Sequence, residues 1–154
     1  MTQMAPTRPN RPTALPLPVA RHAFRIPLLA DLTAAASARA VVEDVIRAWH
    51  VPVDADVAVL LTSELVTNAV MHEAGETVNL VITCGYGQLG VDVHDTSCEL
   101  PVPVDGPPDA ETGRGLVLVA GLSSSWGYYR TPTGKAVYFT LAFVGDVGAD
   151  TREE

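Results

Sequence analysis

An α+β fold is predicted here: a two-layer sandwich with helices gathered on one face of a mixed, mostly antiparallel sheet. Three observations carry that expectation. The chain has 154 residues, 47% of them hydrophobic, which suits one closed core and not several. Apolar residues recur at helical spacing from about 31 to 75. From residue 78 the period drops to two and stays there in every later apolar run but one.

The elements follow in order. Residues 1–20 contain Pro6, Pro9, Pro12, Pro16 and Pro18 with Arg8 and Arg11, a composition that buries little, and they read as a flexible arm. The folded domain is placed at 21–144. RHAFRIPLLA reads as a first strand, and a helix with Asp31 as N-cap runs to about His50 and stops before Pro52. A second helix follows Asp54 and stops at Gly75, a residue suited to the position after a helix. Val78, Leu80, Ile82 and Cys84 alternate with polar or smaller neighbours. After Gly85-Tyr86-Gly87-Gln88, so do Leu89, Val91, Val93 and Asp95, which makes a hairpin. Residues 97–112 hold four prolines, a length without periodicity that suggests a functional lid. A short helix from Arg114 to about Leu122 precedes two strands, SWGYYR and KAVYFTLAF, joined by a turn at Thr131-Pro132-Thr133-Gly134. Residues 145–154 read as an acidic tail.

Charge narrows the function. The net charge is −8, and Arg8, Arg11, Arg21 and Arg25 all precede the first acid, Asp31, so the body is more acidic than the whole. Such a field does not attract a polyanion, which argues against direct nucleic-acid binding. No run reaches the roughly 18 apolar residues of a membrane helix, and the prolines interrupt any signal peptide. Cys84 and Cys98 have no metal-knuckle spacing and read as reduced thiols. A cytoplasmic protein without membrane attachment is expected.

Three features carry chemistry. On the second helix Leu61, Leu65 and Ala69 form a core row, and Glu64, Asn68 and His72 form a neighbouring row of carboxylate, amide and imidazole. That row could equally be the solvated edge of an amphipathic helix. Asp95 falls on the same side as Leu89, Val91 and Val93, the side a strand buries, so its carboxylate needs a partner unless it reaches solvent at the strand end. An acceptor-only group there suits a ligand amine such as adenine N6 and disfavours the guanine carbonyl. Gly113-Arg114-Gly115 opens the third helix, where backbone N–H groups and the helix dipole can cradle a phosphate, or where the chain simply leaves the lid.

Other motifs fail on context. Gly85-Tyr-Gly87-Gln-Leu-Gly90 fits the dinucleotide pattern GxGxxG but leads into an alternating strand instead of a helix. There is no GxxxxGK[ST], GxSxG or HExxH, Ser123–Ser125 lack triad partners, and His22, His50, His72 and His94 lack metal-ligand spacing.

Taken in order, SELVTNAVMHEAG, VDVHDTSCELP, ETGRGLVLVAGLSSSWGY and TGKAVYFTL resemble the GHKL superfamily of ATP-binding domains. The resemblance spans about residues 21–143 and is nearest to the single-domain anti-sigma-factor serine/threonine kinases of the short actinobacterial type. It implies the Bergerat ATPase fold and the cofactors ATP and Mg²⁺. Glu64 then matches the acidic N-box residue that activates the attacking hydroxyl, and Asn68 the Mg²⁺ ligand. Asp95 matches the adenine-binding aspartate of the first glycine box, while Gly113, Arg114 and Gly115 match the second, against the phosphates. Ser97 and Leu116, within the same boxes, and His72 are implied nucleotide contacts. The first box departs from DxGxG, reading Asp95-Thr96-Ser97-Cys98-Glu99, and no helical segment bearing a phosphoacceptor histidine is present.

The implied activity is transfer of the ATP γ-phosphate to a serine or threonine of an anti-anti-sigma (STAS) partner, with a sigma factor held in the alternative state. Two other functions stand beside it: a nucleotide-sensing module that sequesters a sigma factor or other regulator without consuming ATP, and a structural domain that binds nothing. A homodimer is implied by the resemblance alone. The breadth of the first helix, Ala34, Ala38, Val41, Val42, Val45 and Ile46, suits a partner and core burial equally.

Overall fold

The computed structural model describes residues 22–72, 75–97 and 114–145. The arm, the segment read as a lid (apart from Ser97), Cys98, Gly113 and nearly all of the acidic tail lie outside the described residues. In chain order the elements are β1 (His22–Leu29), α1 (Ala34–Trp49), α2 (Ala55–His72), β2 (Thr77–Gly85), β3 (Gln88–Asp95), α3 (Arg114–Leu122), β4 (Ser125–Thr131) and β5 (Gly134–Ala142). The five strands form one sheet in the order β1-β2-β3-β5-β4. The α+β class is as expected.

The sheet is antiparallel at every adjacent pair, where a mixed sheet was expected. The connectivity explains the difference. The passage from β3 through α3 to β4 joins two strands of the same direction, but β5 lies between them and pairs antiparallel with both. The two-residue turns after β2 and β4 produce ordinary hairpins. Tyr86 and Gly87 both have positive φ, 52° and 78°, as a type I′ hairpin turn requires, so the GxGxxG match is a turn.

Alternation sets the core. Leu80 lies opposite Val93, Ile82 opposite Val91, and Val91 opposite Phe139, all fully buried on the helix-covered face. Onto it pack Ala38 and Val42 of α1, Leu61 and Leu65 of α2, and Leu116 and Val119 of α3. The apolar breadth of α1 is spent here, since Ala34, Ala38, Val42, Val45 and Ile46 are buried within the chain's own core. Cys84 is a free, buried thiol that burial pushes up to about 11, which leaves it unreactive at neutral pH.

Helix boundaries follow local hydrogen bonding. Asp54 caps α2, its Oδ1 accepting from the N–H groups of Asp56 and Val57 at 2.9 and 3.3 Å. Asp31 does not cap α1. Its Oδ1 instead accepts from the Thr33 N–H and hydroxyl at 2.8 and 2.6 Å, a side-chain turn that delays the helix to Ala34 with Thr33 at the N-cap. At the other end His50 adopts the left-handed conformation (φ 56°), and Pro52 follows.

The opposite face of the sheet carries a polar cluster. The Tyr129 hydroxyl donates to Asp92 Oδ2 at 2.8 Å, and His94 meets Tyr129 edge-on. Burial pushes the Asp92 carboxyl up to about 6, against the Tyr129 hydrogen bond and the Arg25 charge. Burial, and secondarily Arg25, holds the His94 imidazole below its ordinary range. An unfolded aspartate titrates near 3.8, so between about pH 4 and 6 the folded chain binds the extra proton. Stability therefore falls as pH rises through that window, by on the order of 2 kcal/mol, and the cost is complete above it. Asp92→Asn keeps an acceptor for Tyr129 without the charge. Its stability relative to the parent chain, read by urea unfolding at pH 4 and pH 7.5, should rise across the interval; a difference independent of pH would contradict this account.

Candidate functional site

Two of the sequence-predicted residues anchor the site: Glu64, where α2 meets the start of α3, and Asp95, where β3 ends beside the start of β5. α2 supplies Glu64, Asn68 and His72 from one edge of the helix, each half-buried, beside the fully buried row of Leu61 and Leu65. The i, i+4 spacing places their Cβ atoms about 5–6 Å apart in sequence along that edge.

α3 meets this edge at its first turn. A Cβ on Gly115 would overlap Glu64 Oε1 and approach Glu64 Cβ and Cδ at 3.2 Å. The absence of a side chain at Gly115 is thus what lets the α3 N-terminus settle against the Glu64 carboxylate. The first-turn N–H groups and the dipole of a helix N-terminus favour an anion there. Leu116 is 1% exposed and faces the core, so only its main chain can reach a ligand. Gly113 and the Arg114 side chain are outside what the structure describes.

Asp95 is the second anchor, and it is buried as alternation demanded. Its partner is Lys135, directly opposite on β5, whose Nζ donates to Oδ1 and Oδ2 at 2.9 and 3.0 Å. The Ser97 N–H donates to Oδ1 at 2.9 Å, so Ser97 supports the carboxylate. A Cβ on Gly134 would overlap the Asp95 carbonyl oxygen and lie 2.6 Å from Thr96 Cα, so the start of β5 presses on the Asp95–Ser97 corner.

Lys135 is the residue that the motifs did not single out. Its signal was present in the alternation of β5, where Lys135, Val137, Phe139 and Leu141 share one side. A lysine on that side must sit beside a buried acid, and Asp95 is such an acid.

Among the described residues no three His, Cys, Asp or Glu side chains gather to hold a metal. Mg²⁺ does not require such a cage, because it commonly binds one or two protein groups together with phosphates and waters. Asn68, four residues beyond Glu64 on α2, offers one amide oxygen of the kind that mode of binding uses. Asp95 offers a buried carboxylate at the end of β3, and the room at Gly115 is taken up by the Glu64 carboxylate. No helix among the described residues is long and apolar enough to cross a membrane.

Three helices packed on one face of a five-stranded antiparallel sheet define an α+β domain. The histidine kinase-like ATPase domain family matches residues 28–141, and the chain belongs to that family. It is thereby an ATP-binding, kinase-like ATPase domain of the GHKL superfamily. No curated protein matches the chain significantly.

Proposed function

We propose that this protein is an Mg·ATP-dependent serine/threonine kinase of the anti-sigma-factor type, acting on an anti-anti-sigma (STAS) protein and holding a sigma factor in the alternative state. The observation that carries this reading is the contact of Glu64 with Gly115. It brings a carboxylate able to take a proton beside the helix terminus best suited to the phosphates, with Asn68 one turn away along α2.

In this reading Asn68 holds Mg²⁺, which supplies neutralisation of phosphate charge. Asp95 accepts a hydrogen bond from the adenine amine, and the N–H groups at the start of α3 face the phosphate oxygens. Glu64 accepts the proton of the acceptor hydroxyl as its oxygen bonds to the γ-phosphorus and the bond to ADP breaks. Such transfer depends mainly on positioning and charge, so a small set of groups suffices. Cytoplasmic location and a homodimer accompany this proposal, as in the kinases it resembles.

The test is incubation of the chain with γ-labelled ATP, Mg²⁺ and a purified STAS protein. Label on a serine or threonine of the partner is expected. ADP without partner label would limit the activity to hydrolysis, and neither product would favour the nucleotide-sensing module.

A further inference from the structure

The Asp95–Lys135 pair is buried more deeply than any other ion pair among the described residues, with side-chain exposures of 0% and 3%. Stability does not account for it. Removing two charges from water is costly, and apolar residues of similar volume in place of such a pair are often equally stable or more so. What the pair does achieve is a fixed carboxylate. Lys135 spans both oxygens from β5, and the Ser97 N–H holds Oδ1 from the turn after β3. An ionised carboxylate offers about four acceptor positions. Three are filled among the described residues, and the one left is on Oδ2.

We propose that Lys135 is a positioning residue for base selectivity, holding Asp95 as an oriented carboxylate with one acceptor position kept for the exocyclic amine of a purine. The inference rests on the ATP-site reading above. Lys135 acts through Asp95 and contributes no contact to the phosphates, so its loss should remove the preference for the amine and spare binding of the triphosphate. Gly134 serves the same end, since the close approach of β5 to the Asp95 backbone brings Lys135 within reach.

The experiment is calorimetric titration of the full chain, with Mg²⁺, using ATP and purine riboside 5′-triphosphate, which differs only in lacking the amine. Wild type should prefer ATP by at least about tenfold, the worth of one hydrogen bond to a charged group. Lys135→Met should bind both nucleotides within about threefold of each other, at the affinity wild type shows for the amine-free one. Lys135→Gln, which can still donate one hydrogen bond to Asp95, should keep an intermediate preference, and it carries the comparison if the methionine variant does not fold. A variant that retains the wild-type preference, or that loses both nucleotides equally, would overturn the role of Lys135. Wild type binding both alike would overturn base recognition by Asp95, and the proposal with it, while leaving the nucleotide site standing; wild type binding neither would overturn the ATP site itself.

Discussion

If the proposed kinase activity holds, Glu64→Ala should lower phosphoryl transfer to the proposed STAS partner by about 10²–10⁴-fold, the usual worth of a positioned general base, while ATP affinity stays within about threefold of wild type or tightens. The split follows from position. Glu64 lies on α2 against the start of α3, where the phosphates are expected, and a carboxylate there repels them and gives nothing to binding. In the proposed mechanism its contribution is made only as the acceptor hydroxyl loses its proton, so it registers in the rate and not in the affinity. Calorimetry and the labelled-transfer assay on one preparation separate the two quantities. Transfer at the wild-type rate would remove Glu64 from the mechanism, and loss of ATP binding would make it a structural residue.

Gly134→Ala destabilises the domain by about 3 kcal/mol, the upper range for overpacking a well-filled site, which lowers the melting temperature by on the order of 10 °C. A single added carbon has this effect because its neighbours are main chain. The new Cβ would overlap the Asp95 carbonyl oxygen and lie 2.6 and 2.9 Å from Thr96 Cα and Asp95 C, none of which can rotate away. β5 must part from β3 at the Asp95–Lys135 pair, so ATP affinity falls together with stability. Gly121→Ala provides the matched control. Nothing lies within 4 Å of a Cβ at Gly121 in α3, and alanine there should stabilise the helix by about 0.5–1 kcal/mol. Equal effects from the two substitutions would contradict the steric account.

Much of this architecture was legible because burial and backbone period dictate it together. The rows Leu61-Leu65 and Glu64-Asn68-His72 differ by one helical step, and that step divides fully buried from half-buried residues in the structure. Strand alternation put Asp95 inside, where it lies. Asp31 departs from its expected N-cap place because a side chain of its type closes a local turn as readily as it caps a helix, and Thr33 supplies both donors. The order of elements along the chain does not show that β5 inserts between β3 and β4, which makes every adjacent pair antiparallel and not mixed. Lys135 is legible in part: the β5 alternation places it on the buried side, and its register with Asp95 supplies the partner. Leu116 stands in a nucleotide-contacting motif by resemblance, yet the helical turn sends its side chain into the core.

Asp95 is the group through which the proposed nucleotide site reads its base. Calorimetry of Mg²⁺-dependent ATP binding, with GTP and the Asp95→Asn variant alongside, tests it most directly. Wild type should bind ATP at least about tenfold more tightly than GTP, and Asp95→Asn should lose at least about tenfold in ATP affinity, as expected for a hydrogen bond to a charged acceptor. ATP bound equally well with Asp95 replaced, or no ATP bound by wild type, would contradict the account.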